Sequence, residues 1–130
     1  MVDSHLIDFL LEETNWEIYG LLRWNDDLSN INHLIPLINK KSRVHLVYGD
    51  INDLVSMHDA VSKSKPDYVF HLAAQSYPKT SFESPVETLQ TNVLGTTNLL
   101  EAIRKSAYEP VIHVCASSEV FGRVPKEFLP

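Results

Sequence analysis

The chain has 130 residues, of which 44% are hydrophobic and 22% charged, and 11 Lys and Arg against 17 Asp and Glu give a formal charge of −6. That length suits one domain of ordinary globular composition, and the acidic balance argues against a nucleic-acid partner, which needs clustered Lys and Arg. No apolar run approaches the roughly 20 residues of a membrane span, no basic stretch precedes an apolar one at the start, and the single Cys115 leaves no internal disulfide, so a soluble cytoplasmic protein that stays off membranes is expected.

In chain order, Leu6, Ile7, Leu10 and Leu11 recur at helical spacing and predict an opening helix that stops near Thr14 and Asn15. Residues 17–22 read as a buried strand. Asp26 or Asp27 is a predicted cap for a second helix with Leu28, Ile31, Leu34, Ile35 and Ile38 inward, which Pro36 kinks or ends early. Residues 44–48 form a second predicted strand, running into the turn at Gly49-Asp50. Asp53 then caps a helix around Leu54, Met57, His58 and Val61. Residues 68–72 are the third strand, and residues 73–83 a loop. Pro85 fits the first turn of a long helix reaching Lys105. Its Val86, Leu89, Val93, Thr96, Leu100 and Ile103 recur every three or four residues and predict the inward stripe. Residues 111–116 are the last strand, and residues 117–130 an irregular tail.

Strands alternating with helices imply parallel pairing through right-handed crossovers, an α/β sheet with helices on both faces. In such sheets ligands bind beyond the carboxyl ends of the strands. The clusters to inspect are therefore Leu22-Arg23-Trp24, Gly49-Asp50-Ile51, Leu72-Ala73-Ala74-Gln75 and Ala116-Ser117-Ser118-Glu119. A receiver-type phosphoacceptor domain would need an acidic pair at one strand end and a lysine after the last strand, and neither is present. His113 and Cys115 have no second pair at ligand spacing, so no metal site is expected.

These clusters, with Asn92-Val93-Leu94-Gly95-Thr96 and Ser117-Ser118-Glu119-Val120-Phe121-Gly122, occur in the order and spacing of the extended short-chain dehydrogenase/reductases. The chain resembles their nucleotide-sugar 4,6-dehydratases, and the GDP-mannose 4,6-dehydratase branch most closely, over essentially its whole length. The resemblance implies a Rossmann-like domain and a carbon-oxygen lyase chemistry: oxidation at sugar C4, loss of water across C5 and C6, and reduction at C6. It places Arg23, Asp50 and Ile51 at the adenosine, Leu72, Ala73, Ala74, Ser76 and Asn92 along the cofactor, and Ser117, Ser118 and Glu119 at the sugar. Ser117 would hydrogen-bond the 4-oxygen, Glu119 would remove the C5 proton, and Ser118 would assist the departing hydroxyl. A guanidinium complements a 2′-phosphate whereas an acid would accept from a 2′-hydroxyl; with Arg23 present and no acid at that strand end, NADP is expected over NAD.

Against the same family pattern, residues 1–130 read as a partial domain. The first strand and Gly-rich loop have no counterpart, Asp3 occupies the place of the third glycine, and neither the Tyr-x-x-x-Lys pair nor the C-terminal substrate domain follows Glu119. A carboxylate there opposes a pyrophosphate, although it also favours the helix N-terminus by about 0.3–1 kcal/mol. This chain alone is therefore expected to bind the dinucleotide weakly and not to catalyse, and loss of a central strand is expected to leave two half-sheets with apolar edges. The helix 85–105 resembles the superfamily's dimer helix, so a homo-oligomer is expected. The alternative is a non-catalytic nucleotide-sensing or interaction module on the same fold.

Overall fold

A computed structural model describes residues 2–40 and 42–117, with Val120, Gly122 and Pro125. Helix α1 (Val2–Glu13) leads to strand β1 (Ile18–Leu22), and after a 3-10 turn (Ser29–Leu34) and helix α2 (Ile35–Asn39) the chain enters β2 (Val44–Tyr48). Helix α3 (Leu54–Ser64) precedes β3 (Tyr68–His71). Helices α4 (Pro78–Glu83) and α5 (Pro85–Leu89), a π turn (Gln90–Gly95) and α6 (Thr96–Lys105) then lead to β4 (Val111–Val114). The α/β alternation and parallel pairing expected from the sequence are present, but the strands divide into two sheets. β1 pairs with β2 from Ile18↔Val44 to Leu22↔Tyr48, and β3 with β4 from Tyr68↔Val111 to His71↔Val114. Trp16, just before β1, stacks on Tyr68 at the start of β3, with ring centroids 4.7 Å apart. This aromatic contact, not a backbone ladder, links the two sheets at that end.

Three local expectations need correction. The second predicted helix breaks near Pro36, as expected, into a 3-10 turn followed by α2, but it starts at Ser29 behind Leu28 and is not capped by Asp26 or Asp27. The predicted loop 73–83 contains α4, which starts at Pro78 by the same logic that starts α5 at Pro85. The predicted inward stripe of the long helix holds only in its second half: Val86, Leu89, Val93 and Leu100 are exposed, while Ile103 is buried beside Ala102 and Leu99, and Thr96 meets the buried His71. The π turn inserts an extra residue, so a face followed at helical spacing before it continues on a different face after it.

The main core lies where α3 and α6 pack over sheet β3–β4. Ile51, Met57, Val61, Ala102 and Ile103 are buried there, with Val69, Leu99, Tyr108 and Ile112 packed around them. Gly95 allows this approach: a Cβ at that position would lie 2.9 Å from Ile51 Cγ2. α3 is capped as expected, with the Asp53 carboxylate accepting from the Val55 and Ser56 N–H groups at 3.1 and 3.2 Å. On the other sheet, the Arg43 guanidinium at the start of β2 donates to the carbonyls of Leu10, Leu11, Thr14 and Trp16. α1 has no basic residue in its own last turn, so a distant arginine serves its exposed carbonyls.

His71 closes β3 and is buried. The Thr96 hydroxyl donates to the Asn92 carbonyl at 2.8 Å and therefore accepts from His71 Nε2–H, also at 2.8 Å. Burial holds the imidazole below its ordinary value of 6.5. Below that value the unfolded chain takes up a proton that the folded chain refuses. The His71 contribution to stability is thus complete above pH 6.5 and is lost as the pH falls toward the depressed folded value. Urea unfolding should show stability falling with pH by up to about 1.4 kcal/mol per pH unit from this one proton. His71→Gln should flatten that part of the profile; parallel profiles for the two proteins would refute it.

Candidate functional site

Each described candidate residue sits just beyond the carboxyl end of a strand or on the bent helix packed beside it. Arg23 follows β1 directly. A turn brings Asp26 back over it, with the Asp26 N–H donating to the Arg23 carbonyl at 3.2 Å. The Asp26 carboxylate accepts from the Arg23 backbone N–H at 3.1 Å, from Nε at 2.9 Å and from Nη2 at 2.8 Å. The expectation that no acid stands at this strand end is therefore corrected: the acid lies three residues on in sequence and is folded back by the turn. This pair, helped by the carboxylates of Asp50 and Glu87, raises the Arg23 guanidinium above its ordinary value, and Arg23 lowers the Asp26 carboxyl. Trp24, next along, stacks on Tyr48 at the end of β2 with centroids 4.5 Å apart and planes 8° apart.

Asp50 follows β2 and folds its carboxylate onto the Asn52 N–H at 2.8 Å, an Asx turn that also brings the Asp53 N–H to the Asp50 carbonyl at 2.9 Å. Ile51 follows, with its side chain in the core and its carbonyl accepting from Asn98 Nδ2 at 3.0 Å.

Beyond β3, Leu72 is half-buried, while Ala73, Ala74 and Ser76 are exposed. The loop is clamped at Gln75, whose N–H donates to Asn92 Oδ1 at 2.7 Å and whose carbonyl accepts from Asn92 Nδ2 at 3.0 Å. Gln75 in turn holds Tyr77, accepting from its N–H at 2.7 Å and donating to its carbonyl at 3.0 Å. Both donor and acceptor of the Asn92 amide are engaged by this backbone, so Asn92 shapes the loop. Ser117, beyond β4, is exposed, and its carbonyl accepts the Val120 N–H at 3.1 Å. Ser118 and Glu119 lie outside the described residues.

One element joins these clusters. The π turn presents Asn92 to the loop after β3, and the first turns of α6 present Asn98 to the segment after β2. The ends of both sheets are thus tied to a single bent helix. Sequence reading missed Asp26 as a partner of Arg23, Glu87 beside it, and Asn98. Only the spacing of Asp26 behind Arg23, suited to a turn, carried a signal.

The donor set suits an adenine dinucleotide in part. Small exposed side chains at Ala73 and Ala74 leave the strand end open, and the loop behind them is fixed by hydrogen bonds. The exposed carboxylate of Asp3 in the first turn of α1 opposes a pyrophosphate at that helix. Among the described residues no helix is long and apolar enough to cross a membrane.

A sequence model of the GDP-mannose 4,6 dehydratase family matches residues 2–129. GDP-mannose 4,6 dehydratase 1 of Arabidopsis thaliana is 35% identical across 94% of this chain and 36% of its own length. GDP-mannose 4,6 dehydratase of Drosophila melanogaster is 33% identical across 93% of this chain and 32% of its own. The chain thus spans about a third of the length of these relatives. Among solved structures, the UDP-glucose 4-epimerase of Thermus thermophilus in complex with NAD superposes with a TM-score of 0.66 at 30% identity, covering 81% of this chain and 31% of that one.

Proposed function

The chain belongs to the GDP-mannose 4,6 dehydratase family, and from that premise we propose that it forms the dinucleotide-binding part of a cytoplasmic, NADP-dependent nucleotide-sugar 4,6-dehydratase. The observation that carries this reading is the attachment of both strand-end clusters to one bent helix through Asn92 and Asn98. Arg23 and Asp50 face the adenosine, with the guanidinium favouring the 2′-phosphate of NADP. Leu72, Ala73, Ala74 and Ser76 border the cofactor, on a loop that Asn92 holds in place. When bound, the dinucleotide supplies the hydride acceptor for sugar C4. Ser117 holds the 4-oxygen, Glu119 takes the C5 proton, and Ser118 lies between them toward the departing hydroxyl.

Self-association is part of the same reading. Val86, Leu89, Val93 and Leu94 are all more than half exposed and line a shallow apolar hollow of about 440 Å³, which a second copy would cover.

Calorimetric titration with NADP, combined with an assay for water loss from GDP-mannose, tests the proposal. Millimolar dinucleotide binding without turnover is expected. Micromolar binding without turnover would favour a nucleotide-sensing module instead, and no binding at any accessible concentration would overturn the reading.

A further inference from the structure

We propose that Asp26 is a specificity-determining residue of the nucleotide site, an internal counter-ion that competes with a 2′-phosphate for Arg23 and so narrows the preference between NADP and NAD. The inference rests on the nucleotide-binding reading above and adds to it the residue that tunes cofactor choice. Arg23 is the one feature of the β1 end that favours a 2′-phosphate, and it does not stand open. Asp26 Oδ1 takes both Nε and Nη2, at 2.9 and 2.8 Å, while Oδ2 holds the Arg23 backbone N–H at 3.1 Å. The arginine side chain is 68% exposed and the aspartate 31%, so the pair faces solvent where a ligand arrives.

A 2′-phosphate reaching this edge must displace a carboxylate already in hydrogen-bonding geometry or settle beside it. The carboxylates of Asp50 and Glu87 add to the negative field that Arg23 feels, so the incoming dianion competes with Asp26 in a site already short of free positive charge. A 2′-hydroxyl brings no charge and is able to donate to Asp26. Asp27, next in sequence, does not share this role: its carboxylate accepts from the Ser29 N–H and hydroxyl at 2.9 and 2.6 Å.

The test titrates the whole chain with 5′-AMP and with adenosine 2′,5′-bisphosphate, followed through the NMR signal of the Trp24 indole N–H. Asp26→Asn should raise the affinity ratio in favour of the bisphosphate by roughly threefold to tenfold, the range of an exposed ion pair whose partner is freed. Asp27→Asn removes an equal charge one residue away and should leave the ratio within about twofold, which separates the ion pair from the general field. Unchanged ratios for Asp26→Asn, or equal rises in both variants, would overturn the inference alone. Absence of binding by either nucleotide would overturn the nucleotide-site reading and this inference with it.

Discussion

Met57→Ala should lower the unfolding free energy by about 2–5 kcal/mol, the largest effect expected of any single truncation in this chain. Met57 is 1% exposed and sits on α3 between Ile51 and Val61, against Ala102 and Ile103 of α6. Its neighbours cannot close the space it would leave. Ala102 has only a methyl group, and Ile51 is already pressed against Gly95. The truncation therefore combines lost transfer energy with a persistent cavity. Met57→Leu nearly conserves volume and should cost less than about 1.5 kcal/mol. Urea unfolding of both variants checks the pair; a loss below about 1 kcal/mol for the alanine variant would show that this layer is not the principal core.

Arg43→Met should cost about 2–3 kcal/mol and release the last turn of α1. One guanidinium serves carbonyls of Leu10, Leu11, Thr14 and Trp16 at and just beyond the helix end; that of Leu10 also accepts from the Thr14 N–H and hydroxyl at 3.1 and 2.6 Å, so the other three lean on Arg43 most. Methionine keeps much of the stem but supplies no donor, so the carbonyls of Leu11, Thr14 and Trp16 must turn to water or remain unpaired. Arg43→Lys should recover only part of the loss, because an ammonium is a point donor and does not span several carbonyls as a planar fork does. Hydrogen exchange should show faster exchange through the last turn of α1 in Arg43→Met than in the parent. Equal protection there, with equal urea midpoints, would contradict the role given to this residue.

The parts of the fold that sequence made legible are those set by local chemistry. The four strands, the Asp53 cap and Pro85 at the start of α5 each follow from a residue's own backbone or side-chain preferences. The stripe on the long helix followed only at Thr96 and Ile103, because the π turn is decided by packing: Gly95 must meet Ile51, and Asn92 must reach Gln75. Spacing carries no mark of either. The candidate site was legible as positions beyond strand ends, and Arg23, Asp50 and Ala73 are found there. Its electrostatics were not, since the Asp26 contact depends on a turn geometry that several residue pairs in 23–27 would have satisfied equally well on paper.

The central claim is that the ends of both sheets border one dinucleotide-sized cradle organised by the helix that carries Asn92 and Asn98. Amide NMR shifts during titration of the whole chain with NADP test it most directly. The expected result is a single binding isotherm shared by Trp24, the amides of Asp50 and Asn52, and those of Ala73 through Ser76. Shifts confined to one sheet's end, or gathered instead on the apolar patch from Val86 to Leu94, would contradict it.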